Sequence, residues 1–490
     1  MKVAVVGAGL GGLSAACHLA GRGHEVTVLE REDGPGGCAG VLEADGYRID
    51  TGPTVLTMAD IVAETFAAAG ADANDHLSLR RLDPMYRASF ADGSELRVRH
   101  GRDAMAEEIR SVCGARDAAA FHRFCDWLHD LYELEMPHFI ARNYDSPVGL
   151  ARDPHALARL VRLGALKRLA PTVNRFFADE RLRRVFSFQA LYAGLSPFEA
   201  LAVYCVITYM DTVAGVHFPE GGVHELATGL AAAAQKAGAE LSYGTAVDRI
   251  TRAADGSVNG VRLATGERLG VDAAVCATDL AGAYEHLLGV AAPRVVRRGR
   301  YAPSCVVWVA GVRGGLPPAA EHHNIHFGRT WRAAFDALLD DGRRMPEPSM
   351  LVTCASRSDA SLAPADGATL FVLEPVPNLD GRVDWPSERM RLRDDLRERV
   401  GHLGYPVDDV VVERLVDPLE WKARGLARGT PFSLAHRFFQ SGPFRPGNVD
   451  RRVPGLVFAG MGTVPGVGIP MVLISGRLAA DRVDELARAR

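Results

Sequence analysis

Val3 to Val6, between Lys2 and Gly7, is the chain's first unbroken apolar run and reads as a short buried strand. Glycines crowd the next six positions. From Ser14 to Arg22 apolar residues recur at helical spacing, and Glu25-Val-Thr-Val-Leu29 predicts a second strand closed by Glu30. From about Arg102 to Met210 the pattern is mostly helical. After Pro219-Glu-Gly-Gly222 strand and helix alternate again: a helix ending near Gly238, short strands at Glu240–Tyr243 and Ala246–Ile250, and a hairpin leading to Val271–Ala277. Between about 285 and 440, strand-like runs at Cys305–Ala310, Met350–Cys354 and Thr369–Pro375 alternate with helical ones. Gly455–Gly460 reads as one more buried strand, and glycine-rich Met461–Gly468 enters a final helix.

The opening glycines carry the first chemical signal. Gly7, Gly9 and Gly12 form a G-x-G-x-x-G turn between strand and helix. The first permits the tight turn, the second lets a pyrophosphate approach the backbone, and the third lets helix pack on strand. Free N–H groups at the helix N-terminus favour the phosphates. Glu30 stands where a ribose hydroxyl would donate to it. The chain therefore reads as α/β, with a discontinuous Rossmann-like dinucleotide domain drawn from 1–85, 216–284 and 441–490. A helical, membrane-associating and substrate-facing region covers 86–215, and an inserted mixed-sheet substrate domain covers 285–440.

Asp33-Gly-Pro-Gly-Gly37 follows the second strand, where nicotinamide domains usually go straight into a helix. A glycine pair at that place suits the ribose and phosphates of an extended FAD. Gly37, Asp50 and Gly52 are candidates for its near side, and Val247 for a backbone contact to adenine. Gly460, Gly468 and Met471, on the returning C-terminal strand and helix, are candidates for the ribityl chain and the pyrimidine side of the ring. FAD is favoured over NAD.

With 490 residues, 48% of them hydrophobic, the chain can bury a large core in two or three domains. A net charge near −4 gives no global pull toward nucleic acid. Eight scattered cysteines without a C-x-x-C pair argue against a disulfide framework or zinc site and for a reduced cytosolic setting. No signal peptide is expected, because the first strand starts almost at once. The uncharged stretch Gly455–Gly476 is long enough to cross a bilayer, but its prolines and glycines read better as a cofactor segment.

One stretch departs from the acidic whole. Ala151–Phe186 carries Arg152, Arg159, Arg162, Lys167, Arg168, Arg175, Arg181, Arg183 and Arg184 against Asp153, Asp179 and Glu180. Leu157, Leu160, Val161, Leu166 and Leu169 recur among them. An interfacial helix on anionic lipid and an ordinary amphipathic helix with a solvated basic face both fit.

Nearly end to end, the chain resembles the bacterial carotenoid desaturases of the phytoene desaturase type, within the flavin amine oxidase-like superfamily. The resemblance rests on Asp50-Thr-Gly-Pro-Thr54, Phe218-Pro-Glu-Gly-Gly222, His322-His-Asn-Ile325, Ser361-Leu-Ala-Pro364 and Leu373-Glu-Pro-Val-Pro377. It continues through Gln440-Ser441, Phe444-Arg-Pro446 and Gly462-Thr-Val-Pro-Gly-Val-Gly-Ile-Pro470. Cys38 stands where many relatives have Arg, and Val464 where many have His. The resemblance implies an FAD enzyme that dehydrogenates a lipid-soluble C40 isoprenoid such as phytoene, with a quinone or dioxygen as electron acceptor. It also implies a long apolar tunnel opening to lipid and a peripheral seat on the inner face of the cell membrane.

Asp211 is a weak candidate for a catalytic base, a helix-end or turn aspartate being the plainer reading, and no single essential acid or base is expected. Glu220 and Glu374 read as structural. His322, His323 and His326 read as a hydrogen-bonded loop rather than a metal site. The competing readings are a related isomerase or ketolase, a flavin amine oxidase with an aromatic cage, and a prenyl-lipid carrier without flavin.

Overall fold

The protein is described from a computed structural model, which covers residues 1–146, 148–149 and 153–489. Ala151 and Arg152, at the head of the basic stretch, lie outside the described residues.

Five short strands form one parallel sheet, ordered Glu240–Ser242, Glu25–Leu29, Lys2–Val6, Ala273–Cys276 and Leu456–Phe458. Its members come from the beginning, middle and end of the chain. The inner strands are apolar and buried on both faces, as parallel sheets require, whereas the edge strand Glu240–Ser242 is partly exposed. On one face pack the helices Leu10–Gly21, His224–Lys236 and Ile469–Ala489. Ser14 ties the first to the last by donating to the Leu473 carbonyl at 2.7 Å. The other face is covered by the three-stranded antiparallel sheet Val247–Arg252, Val258–Leu263 and Arg268–Gly270.

A second, seven-stranded mixed sheet is ordered Val410–Val416, Ser304–Arg313, Gly367–Val376, Met350–Thr353, His323–His326, Tyr86–Ser89 and Glu95–Val98. Alternation sorts its side chains. Val306, Trp308, Ala310 and Val312 pack beneath the helix Trp385–His402, while Cys305, Val307 and Val309 face the opposite way. Two of its strands lie within 86–98, a stretch grouped with the helical section on sequence. Edge pairing decides this: Asn324, Ile325 and His326 pair in parallel with Arg87, Ala88 and Ser89.

Between the two sheets lies the helical section, led by Arg102–Cys113 and Ala115–Glu135. Phe121, Phe124, Phe177 and Phe186 stack at its centre. In the basic stretch, the helix Pro154–Arg162 buries Ala156 and Leu160 and leaves Arg159, Val161 and Arg162 exposed. Asp153 caps it by accepting from the Ala156 N–H at 2.9 Å. The cations divide. Arg159, Arg162, Lys167, Arg168 and Arg175 are exposed, whereas Arg181 and Arg184 are half-buried and pair with Asp179 and Glu180.

Candidate active site

Gly7 holds a φ of +104°, a conformation costly for any side chain, and turns the opening strand into its helix. A Cβ on Gly12 would stand 2.0 Å from the Gly7 carbonyl oxygen, so only glycine lets the helix cross the strand there. Gly9 is the N-cap of Leu10–Gly21 and offers no side chain to its first-turn N–H groups. Those groups open toward Gly36 and Gly37, which pass alongside Gly9. An uncapped N-terminus of a twelve-residue helix beside a glycine pair fits a pyrophosphate.

At the strand end, Glu30 Oε2 accepts from the Ala8 N–H at 2.6 Å and Oε1 from the Glu32 N–H at 3.1 Å. Each carboxylate oxygen keeps a further lone pair. Val247 opens the flanking hairpin two residues beyond Thr245, whose N–H donates to the Glu30 carbonyl at 2.7 Å. Glu30 and Val247 thus sit at one end of the crevice.

Two expected cofactor residues also have structural duties. The carboxylate of Asp50 accepts from the Val223 and His224 N–H groups at 2.8 and 3.1 Å and fastens the start of the His224–Lys236 helix. Burial pushes its pKa up to about 6, against those two hydrogen bonds. A Cβ on Gly52 would meet the Cys38 carbonyl at 1.8 Å, so this glycine is demanded by chain packing as well.

Beyond the crevice opens a cavity of about 540 Å³, within the size range of small-molecule sites. One end is bounded by Gly52-Pro53-Thr54 and by Val464, Pro465, Gly468 and Met471, where Ile469–Ala489 begins. Its walls come from distant stretches: Leu157, Leu160, Leu191, Val206, Ile207, Phe327, Phe371 and Leu373. Leu166 and Phe438 line it while being 42% and 52% exposed, so they mark its mouth. Gly460 lies behind this wall, its N–H donating to Ser475 Oγ at 3.0 Å.

Few polar side chains face this space. Asp211 sits on a widened helical turn, Tyr209–Val213, and neither of its buried oxygens has a hydrogen-bond partner among the described residues. Burial pushes its pKa up to about 7, opposed by Tyr86 and Gln189 beside it. Glu135, at the end of the longest helix of this section, is also buried. Desolvation holds its carboxyl well above the usual range, and Oε1 has no partner among the described residues.

Arg445 is buried behind the mouth. It donates to the carbonyls of Met461, Thr463, Leu434 and Gln440 at 2.6, 3.0, 3.1 and 3.3 Å. Burial lowers its pKa to about 10, which leaves it charged at neutral pH. Sequence reasoning did not single out Glu135 or Arg445. An acid among apolar helix positions, Leu131, Leu134 and Met136, was the available signal for the first; the second stands inside the Phe444-Arg-Pro446 motif.

The remaining candidates are structural. Glu374 is fully buried between Arg344 and Arg399 on the helix-covered face of its strand, and Glu220 pairs with exposed Arg80 at 2.9 Å. His323 and His326 lie on a strand, with His322 just before it, rather than in a loop. Period-2 alternation and the neighbouring Ile325 were the missed sign. Among the described residues no His, Cys, Asp and Glu grouping suits a metal.

Comparison with known proteins places the geometry. The chain is 49% identical to the phytoene dehydrogenase of Streptomyces griseus, over 99% of its length and 96% of that protein. It is 39% identical to the zeta-carotene-forming phytoene desaturase of Myxococcus xanthus, over 100% and 95% of the two chains. Among solved structures, cyclohexylamine oxidase from Brevibacterium oxydans shares the fold, with a TM-score of 0.61 at 17% identity over 99% of each chain. Residues 10–484 match the family of flavin containing amine oxidoreductases; the chain belongs to this family, and its cofactor is FAD.

Proposed function

We propose that this protein is an FAD-dependent desaturase that removes hydrogens from a C40 isoprenoid such as phytoene and extends its conjugated polyene. The observation that carries the reading is the cavity: about 540 Å³, walled by apolar side chains, and running from the glycine-rich cofactor segments to an exposed mouth. A hydrocarbon has no polar handle, so shape and apolar burial must bind it.

Within this reading, Gly7, Gly9, Gly12 and Gly37 take the pyrophosphate, Glu30 the ribose, and Val247 the adenine. Gly52, Gly460, Gly468 and Met471 border the ribityl chain and ring, with Asp50 holding the helix beside them. When bound, FAD supplies the two-electron acceptor for hydride from an allylic C–H. The chain's own work is to hold the polyene, exclude water and remove the proton left behind. A quinone or dioxygen is the electron acceptor.

The same reading seats the mouth on the inner face of the cell membrane. No helix among the described residues is long and apolar enough to cross one. Support for a peripheral seat comes from Val161, Leu166, Phe438 and Phe439, exposed by 55%, 42%, 52% and 72%. Arg159, Arg162, Lys167, Arg168 and Arg437 are exposed around them. Apolar side chains within a basic ring suit an anionic lipid surface. The aromatic cluster of Phe438, Phe439 and Phe444 adds a second anchor that the basic stretch alone did not suggest.

The test is to mix the FAD-loaded protein anaerobically with phytoene in liposomes and then add a quinone. Flavin bleaching followed by polyene absorbance is expected; flavin that stays oxidised with phytoene and with partly desaturated carotenoids would remove the reading.

A further inference from the structure

Each desaturation leaves a proton in a cavity that the substrate itself keeps dry, and that proton must leave. Asp211 lines the cavity, and both its oxygens, the hydroxyl of neighbouring Tyr86, and Nε2 of His323 and His322 are buried without hydrogen-bond partners among the described residues. Tyr86 is the immediate neighbour of Asp211, and the two imidazoles follow beyond Tyr86.

Strand register lines them up. Tyr86 and His323 sit side by side on parallel strands with rings stacked at 5.5 Å, and His323 is opposite Thr353 on the next strand. His323 Nδ1 meets Thr353 Oγ1 at 2.9 Å. The His322 ring lies 4.5 Å from that of His323, and its Nδ1 meets Ser358 Oγ at 2.8 Å. Ser358 is half-buried, and exposed Arg80 donates to its carbonyl at 2.6 Å, so this end reaches the surface. A separate cavity of about 10 Å³ is lined by Thr353 and His322, together with Thr54 and Asp50. That volume suits about one water, with polar groups on several sides.

We propose that Asp211 accepts the proton released by the substrate and that Tyr86, His323, Thr353 and His322 pass it to the surface at Ser358. The inference rests on the desaturase reading. In the step, the C–H bond next to the carbon that gives up hydride breaks, its electron pair becomes the new C=C, and its proton joins the Asp211 carboxylate. Bound FAD would accept the hydride, so charge and electrons balance. One water between the Tyr86 hydroxyl and His323 Nε2, and one in the small cavity, complete the path. Each imidazole accepts at one nitrogen and donates from the other. Burial pushes both rings toward the neutral form, with Arg80 pushing His322 further in the same direction. Tyr86, Tyr192 and Gln189 face Asp211, while Arg80 and Asp50 face His322.

Two arms test this. In the FAD-loaded protein without substrate, the infrared carboxylic acid band that Asp211→Asn removes is followed as it exchanges into D2O at pH 5.5. Exchange at least tenfold slower in Tyr86→Phe and His322→Gln is expected; wild-type rates in both variants would overturn the relay. In the second arm, anaerobic mixing with phytoene liposomes is read by flavin bleaching and by a pH-indicator dye. Asp211→Asn should bleach about a hundredfold more slowly, and in Tyr86→Phe proton release should lag bleaching about tenfold. Asp211→Asn bleaching within threefold of wild type sinks the acceptor role. If the wild type does not bleach at all, the substrate reading fails, and the exchange arm still decides the path. Tyr86→Phe removes one oxygen from a retained ring, so it tests the path even where a histidine variant does not fold.

Discussion

At Gly12 a single added carbon would meet a backbone oxygen at 2.0 Å, whereas at Leu160, in the cavity wall, several apolar side chains would fill nearly the same space. The two regions contain one active site but are specified differently. The dinucleotide end constrains backbone, and backbone constraints name their residues: glycine where the chain crosses itself, an acid at a strand end. The hydrocarbon end constrains volume, and volume is met by many sequences. The first end is written in a few adjacent letters; the second is spread over stretches from Gly52 to Met471.

The sharpest way to break this contrast is to exchange like for like. Gly12→Val should cost about 4 kcal/mol or more and leave the purified protein without flavin, whereas Leu160→Met should cost less than about 1.5 kcal/mol. Denaturant midpoints and the flavin spectrum read both; a Gly12→Val protein that stays yellow and stable ends the contrast.

Next in size is a pH effect that belongs to the cavity end. The Asp211 pKa is raised by burial from 3.8 to about 7, so the folded state holds that proton more tightly than the unfolded chain. Its contribution is fully present below about pH 4 and is lost as pH rises through 7. Asp211→Asn should therefore gain up to about 4 kcal/mol on wild type between pH 4 and 8, measured by urea unfolding. Parallel stability curves would show that the carboxyl is solvated. Glu135→Gln should move in the same direction, because its acid is likewise raised by burial.

Smaller effects sharpen the boundary of the cavity end. Phe439→Ser, at the most exposed aromatic of the mouth, should weaken binding to anionic vesicles about tenfold. Arg159→Gln and Arg162→Gln should each weaken it about fivefold, with little change on neutral vesicles. Sedimentation with liposomes checks both, and equal losses on neutral lipid would remove the electrostatic part.

The parallel sheet, its order of capture from three parts of the chain, and the glycine crevice were all legible, because apolar runs and glycines at fixed spacing have few other meanings. Strands Tyr86–Ser89 and Glu95–Val98 were not seen as part of the second sheet. Their partner, His323–His326, lies more than 200 residues away and looks polar until its burial is known. For the same reason the histidines read as a loop. Asp211 was visible as an acid near a turn, but its burial and orphaned oxygens depend on distant stretches, among them those carrying Tyr86 and Gln189. Asp50 and Gly52, read from the sequence as cofactor residues, each answer to a local packing demand: a helix start for one, the Cys38 carbonyl for the other.

Arg445 has a mechanical consequence. A rigid guanidinium fork holds carbonyls of Met461 and Thr463 on one segment and of Leu434 and Gln440 on another. The first pair runs into the cofactor wall, and the second into the aromatic lip. Bolted in this way, the two cannot soften separately: heating should free the lip to proteolysis at Arg437 at the same temperature at which the flavin escapes, so that a chain which has lost its dye has also lost its grip.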